Sequence, residues 1–327
     1  MSLERVFVTG ATGCVGQYLV DALASRRDVE VHALVRPGSA LEPPADASAT
    51  FVTHEGALEA IDDHVETVRR CDAIIHLAAA WDDSPRAELV NVDRTLEMVA
   101  ACDPSRCRRV IAVSTASVLA ADNSLLPEAL VHGTAYVRSK HLACRRLADS
   151  PVADRLVTFF PTLIFGGDAT HRWSHVAREL AQAERYLWLA RFFRAEGCFH
   201  FIHARDLAAM IVRVLEEGSP APRVVPGQPA TSFDEALAAI CQVRGWRYRG
   251  TLALTPPRVL AGARLLGARL SAWDRYAIEH PRFEYRVTRP EDLGLTSAYP
   301  TIRSVLAALA NHTRSDSQAV EGKSHPG

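Results

Sequence analysis

Lysine is nearly absent from this chain: Lys140 and Lys323 stand among 37 basic residues, and arginine supplies the rest. Arginine evidently serves for solubility here. An interior lysine is therefore expected to do what a planar guanidinium cannot, which is to act as a compact point donor on a flexible stem. Net charge is equally scarce. A formal charge of −1 over 327 residues excludes a general attraction to nucleic acid or to an acidic membrane. No uncharged run reaches the ~20 residues needed to cross a bilayer. The first expected strand begins so close to Met1 that no signal peptide fits before it. The seven cysteines (Cys14, Cys71, Cys102, Cys107, Cys144, Cys198 and Cys241) include no Cys-x-x-Cys pair. An odd, dispersed set speaks for reduced thiols in the cytoplasm and against a disulfide frame or a metal site. No internal repeat is present.

What is present starts from that interior lysine. Lys140 falls four residues after Tyr136, and the absence of Gly or Pro between Ala135 and Ser150 predicts a helix there. On a helix the spacing puts phenol and ammonium on one face, a turn apart. The positive charge is expected to favour the tyrosinate and bring the phenol down from its reference near ~10. Tyr136 would then serve as a general acid or base. Taken alone, the motif fits an exposed tyrosine beside a solvated lysine equally well.

The amino terminus adds a second signal. Arg5 to Val8 reads as a short buried strand and runs into Thr9-Gly10-Ala11-Thr12-Gly13-Cys14-Val15-Gly16, followed by an amphipathic helix. Strand, glycine turn and helix occur in the order a dinucleotide-binding unit requires. Gly10 permits the tight turn, Gly13 lets the backbone approach a pyrophosphate, and Gly16 lets helix and strand pack closely. A second strand, Val29 to Val35, ends in Arg36 where NAD-preferring units usually carry an acid. Arg36, with Ser39 nearby, points to NADP in preference to NAD.

Further strands follow at an alternating α/β rhythm: Ala73 to Ala79 and Arg109 to Val113, with helical pattern from Asn91 to Cys102 between them. The second of these strands ends in the hydroxyl cluster Ser114-Thr115-Ala116-Ser117, at the strand end where open α/β sheets bind ligands.

These pieces together resemble the extended short-chain dehydrogenase/reductases of the epimerase/dehydratase type, which include nucleotide-sugar epimerases, dihydroflavonol reductases and 3β-hydroxysteroid dehydrogenases. The glycine turn, His76-Leu77-Ala78-Ala79, Asn91-Val92, Ser114 to Val118, Tyr136 with Lys140, Pro161 to Gly166, and Phe201-Ile202-His203 before Asp206-Leu207-Ala208 appear in the family's order. The resemblance implies a doubly wound, Rossmann-like parallel sheet with an interleaved smaller substrate-binding lobe. It also implies that Thr115, Tyr136 and Lys140 are catalytic. The cofactor would meet Gly10, Thr12, Gly13, Cys14, Val15, Gly16, Arg36, Leu77, Ala78, Ala79, Lys140 and Pro161. Substrate would meet Trp81, Ser117, Phe165, His171 and Trp188. A homodimer is the family's common habit, and His76 is expected to support its strand end.

The departures are informative. Gly56-Ala57-Leu58 lacks the acid that the family often places after its third strand, Phe160 precedes Pro161 where sugar-nucleotide enzymes commonly carry arginine, and Phe199-His200 replaces an Arg-Asp pair. Two potential diphosphate partners are thereby lost. The aromatic stretch from Tyr186 to Phe199 suits an apolar pocket better than a sugar nucleotide, although His171, Arg172, His175 and Arg178 leave an anionic substrate open.

The expected organisation is 1–166 for the NADP-binding part, completed by 199–227; 167–198 and 228–312 for the substrate lobe; and 313–327 as a disordered polar tail. Val259 to Leu270 mixes leucines with Arg264 and Arg269 and is expected to be a lid or packing helix of that lobe in preference to a membrane-surface helix. The favoured function is an NADP(H)-dependent oxidoreductase acting on the carbonyl or hydroxyl carbon of a small apolar metabolite. The alternatives are a nucleotide-sugar epimerase or dehydratase using bound NAD(P), and a non-catalytic NADP-binding sensor.

Overall fold

The computed structural model describes residues 4–81 and 85–310; the expected tail and Lys323 lie outside the described residues. Strands β1 (Arg5–Thr9), β2 (Glu30–Val35), β3 (Thr50–Glu55), β4 (Ala73–His76), β5 (Arg109–Val113) and β6 (Leu156–Phe159) form the body of a seven-stranded sheet. The two-residue strand Arg223–Val224 closes one edge beside β6, and the order runs on through β5, β4, β1 and β2 to β3. Every neighbouring pair is parallel.

Side-chain alternation explains why β1 sits at the centre. Val6 and Val8 pack on one face with Leu19 and Leu23 of helix α1 (Cys14–Ala24) and with Leu207 and Ile211 of the helix Ala204–Glu217. Phe7 points to the other face, among Ile61, Met98 and Leu147. A strand covered on both faces must be apolar throughout, which is what the run Val6-Phe7-Val8 supplies. The chain leaves β1 toward β2 and β3, then returns to β4 on the other side of β1. That reversal opens a crevice between the carboxyl ends of β1 and β4.

Phe201–His203 does not return to the sheet edge; it pairs in parallel with Leu163–Phe165 in a separate two-stranded sheet. Pro161, just past β6, has no N–H for a ladder bond, so the chain turns out of the central sheet there. A further core gathers Phe165, Phe199 and Phe201 with Ile302, Val305 and Leu306 of the last described helix. The helices Pro256–Leu265 and Ala272–Glu279 contribute no buried residue. Among the described residues no helix is long and apolar enough to cross a membrane.

The carboxylate of Asp206 joins the end of the chain to this frame. It is buried and accepts from the Ser297 hydroxyl at 2.6 Å and from the Ala298 N–H at 2.9 Å. Asp206→Ala is expected to destabilise the protein by about 1–3 kcal/mol, because buried donors lose their partner; urea unfolding measures it.

Candidate functional site

The glycine turn is a close approach of backbone to backbone. Gly10 has φ +77°, and a Cβ there would lie 2.7 Å from the Ala78 nitrogen; at Gly16 it would lie 2.1 Å from the Gly10 carbonyl oxygen. Gly13 is the N-cap of α1, with no side-chain cap and no acidic residue in the first turn. The helix N-terminus thus keeps its N–H groups and its positive end for an anion. Cys14 is part-buried against the same core as α1. Val15 packs on the core, and burial pushes the Cys14 thiol up to about 12. Thr12 is buried. Leu77 and Ala78 are fixed by donating to the Thr9 carbonyl and hydroxyl oxygens at 3.0 and 3.3 Å, and the half-buried Ala79 follows them. Arg36 is exposed at the end of β2, and its guanidinium meets no acid among the described residues.

The helix Ala135–Ala148 carries the tyrosine and lysine, and Thr134 caps it by accepting from the Val137 N–H. Lys140 is only 5% exposed, and its Nζ donates to the Val113 carbonyl at 2.9 Å, at the carboxyl end of β5. Burial brings its ammonium down to about 8. Thr115 lies two residues past that anchor, donating to the Ser117 hydroxyl at 3.2 Å; the Ala116 N–H donates to the Pro161 carbonyl at 3.0 Å. Strand end, tyrosine helix and the Pro161 turn therefore meet at one place.

The phenol moves opposite to the sequence expectation. Burial pushes Tyr136 up, and the Lys140 charge does not offset it. The Trp81 indole lies flat on its ring, with centroids 4.1 Å apart and planes 12° apart, and Trp81 is itself 63% exposed. Next to Trp81, the His175 ring lies 6.1 Å away. Desolvation of the phenolate outweighs a neighbouring charge that is already held by a carbonyl.

Asn91 braces this arrangement. Its amide accepts from the Ala80 N–H at 2.8 Å, donates to the Ala80 carbonyl at 2.9 Å and donates to the Ser139 hydroxyl at 2.9 Å. It fixes the residue before Trp81 and the residue before Lys140 at once. The segment Leu89–Arg94 that carries it is a π-helical bulge, and such bulges recur at functional sites. His76 adds a buried relay. Thr95 donates to the Val90 carbonyl, so it accepts from His76 Nε2 at 3.0 Å, leaving Nδ1 to accept from the Thr9 hydroxyl at 2.7 Å. Burial, assisted by the Lys140 charge, lowers His76 to about 3, so the ring is neutral.

Three residues expected at the substrate lie in other surroundings. Phe165 is buried edge-on against Phe201, in the third core. Trp188 meets Phe192 and the Arg191 guanidinium on the segment Glu184–Phe192. His171 stacks on Tyr18 of α1 at 3.9 Å and bridges two carboxylates, Asp21 at 2.7 Å and Asp168 at 2.8 Å. Burial would push Asp168 up, but hydrogen bonds from His171, Thr170 and Tyr18 hold it well below the ordinary carboxylate range. This cluster locks the loop after Phe165 onto α1, the helix that follows the glycine turn.

The family model described as the NAD dependent epimerase/dehydratase family matches residues 6–225. A 3-diazoavenalumate denitrifying reductase from Streptomyces is 29% identical over 291 residues, covering 82% of this chain and 88% of the relative. A 4-hydroxy-2-methyl-3-oxo-4-farnesyl-3,4-dihydroquinoline-1-oxide ketoreductase from Stigmatella aurantiaca is 35% identical over 125 residues, 37% of this chain and 36% of the relative's length. Among solved structures, the terminal R domain from the myxalamid PKS-NRPS biosynthetic pathway superimposes with TM-score 0.74 at 17% identity, covering 97% of this chain and 92% of that one. The likeness extends the fold correspondence beyond residue 225.

Asn91→Leu is expected to cost about 1–3 kcal/mol in urea unfolding, since it strands three buried partners at constant side-chain size. A change within ~0.5 kcal/mol would mean that Ala80 and Ser139 find other partners.

Proposed function

The chain belongs to the NAD-dependent epimerase/dehydratase family, and from that premise we propose an NADP(H)-dependent oxidoreductase that reduces the carbonyl carbon of a small apolar metabolite, with Tyr136 as the acid. The observation that carries this reading is a half-buried phenol, held up by desolvation, a helical turn from a buried ammonium that uses one of its three N–H donors. When bound, the nicotinamide supplies or accepts hydride.

The chain's own groups fit that cofactor. The uncapped N-terminus of α1 suits the pyrophosphate, the unpaired Arg36 suits a 2′-phosphate, and the two remaining Lys140 N–H groups suit ribose hydroxyls. Thr115 would turn its hydroxyl from Ser117 to the substrate oxygen, where negative charge grows in the transition state. Tyr136 would donate to the same oxygen and give up its proton as the new O–H bond forms. A phenol held up by burial stays protonated at neutral pH and so can act as the donor.

The flat indole over Tyr136 supports an apolar substrate, which would take or share that ring face. The name of the Stigmatella relative, a ketoreductase of a farnesyl-bearing compound, agrees. A sugar nucleotide is disfavoured by what stands where arginines would meet its phosphates. Phe160 is buried. Phe199, in the other arginine's place, is also buried and packs with Phe165 and Phe201. We assign 1–166 with 199–227 to the cofactor and 167–198 with 228–312 to a substrate lobe. The seven free thiols suit a reducing cytoplasm.

Tyr136→Phe is expected to keep NADPH binding and lower turnover at least ~100-fold; unchanged turnover would remove Tyr136 as the donor. Arg36→Asp should weaken NADPH about tenfold or more and spare NADH, whereas equal losses would separate Arg36 from the 2′-phosphate. Deprotonation removes the Lys140 charge, so kcat/KM for reduction should hold at lower pH and fall as pH rises through about 8. A profile flat to about pH 10 would exclude that role.

A further inference from the structure

The hairpin formed by the helices Pro256–Leu265 and Ala272–Glu279 is the part of the described chain that the reaction leaves unexplained. Neither helix contributes a buried residue, although helices in globular proteins are normally held by burying one face. At its turn stand Leu265, 88% exposed, and Leu266, 85% exposed, followed by Gly267 at φ +67° and the exposed Ala268. Scattered exposed leucines need no explanation, but two in succession at the tip of a projecting turn form a compact apolar point.

Charge surrounds that point. Between residues 256 and 275 four arginines stand against one aspartate, although the whole chain is near neutral. Arg264 and Arg269 flank the leucines directly. Arg264, Arg269 and Arg275 are exposed and enter no ion pair among the described residues, while Asp274 is occupied in capping its own helix through Ser271. Net charge had argued against attraction to an acidic membrane, but an average conceals a basic patch this local.

We infer that this hairpin docks on the surface of an anionic bilayer, Leu265 and Leu266 entering the headgroup boundary and Arg264 and Arg269 meeting lipid phosphates. Apolar residues at a protruding tip ringed by arginine have the chemistry of an interfacial anchor. A second copy of this chain is a poorer occupant, because a two-fold contact would press the same arginines against each other. The hairpin also borders the catalytic region. Trp273, in the second helix, packs on the cluster of Val118, Val137 and Phe160 to which Tyr136 belongs. An apolar carbonyl compound dissolved in the bilayer would thus be taken up beside the phenol. This last step rests on the reductase reading; docking itself does not.

The test is sedimentation of the full-length protein with vesicles of phosphatidylcholine alone or mixed with phosphatidylglycerol, scored without turnover so that docking and reductase activity can fail separately. Binding should require phosphatidylglycerol, weaken with salt, and fall at least ~tenfold in Leu265→Asp/Leu266→Asp, a change at exposed positions that leaves NADPH-linked reduction of a water-soluble ketone intact. Arg264→Glu/Arg269→Glu should abolish the dependence on phosphatidylglycerol. No binding to either vesicle, or equal binding by the leucine variant, overturns the inference. Self-association of the wild type that the leucine variant loses overturns it in favour of a second copy. Capture of an acidic carrier protein without vesicle binding overturns it in favour of a protein partner.

Discussion

The site is organised around one buried ammonium. Lys140 Nζ, held by the Val113 carbonyl, fastens the tyrosine helix to the end of β5 with one of its three N–H donors. Burying a charge with one hydrogen bond is costly, and the lowering of the ammonium to about 8 is the direct sign of that cost. A guanidinium would stay charged and would bring five donors in a fixed fork, more than the space beside one carbonyl can satisfy. That is a physical reason for a chain rich in arginine to keep lysine at this position.

Three supports keep the ammonium and its phenol in register with the glycine turn. Asn91 clamps the Ala80 backbone and Ser139 together, so the loop that carries Trp81 and the helix that carries Tyr136 cannot shift independently. The neutral His76 joins Thr9, at the mouth of the glycine turn, to Thr95. The Tyr18, Asp168 and His171 cluster ties α1 to the loop that follows Phe165. Each relies on buried or half-buried hydrogen bonds, which are costly to leave unmade and so resist displacement.

Much of this was legible in the sequence. The glycine turn could be read because a Cβ at Gly10 or Gly16 would collide with backbone, a constraint local to a few residues. The central strands could be read because two covered faces demand unbroken apolar runs such as Ala73-Ile74-Ile75. Tyr136 and Lys140 could be placed on one helix, but the direction of the phenol's shift could not. Spacing reports the distance between charges and is silent on desolvation, which depends on what the fold packs around the phenol. The bracing role of Asn91 was hidden in the same way, since a π-helical bulge leaves no periodic signature over six residues. His171 read as a pocket residue because its two carboxylate partners, Asp21 and Asp168, become its neighbours only once α1 and the loop are packed.

The central claim is that Tyr136 stands protonated beside the place where Lys140 meets a nicotinamide ribose. It is tested most directly by nuclear magnetic resonance of ring-labelled tyrosine, with Tyr136→Phe to assign the signal, titrated with and without NADP(H). The account predicts a phenol that stays protonated beyond its ordinary value near ~10 in the free protein and a resonance that moves when cofactor binds. A tyrosinate at neutral pH in the free protein, or a signal indifferent to cofactor, would contradict it.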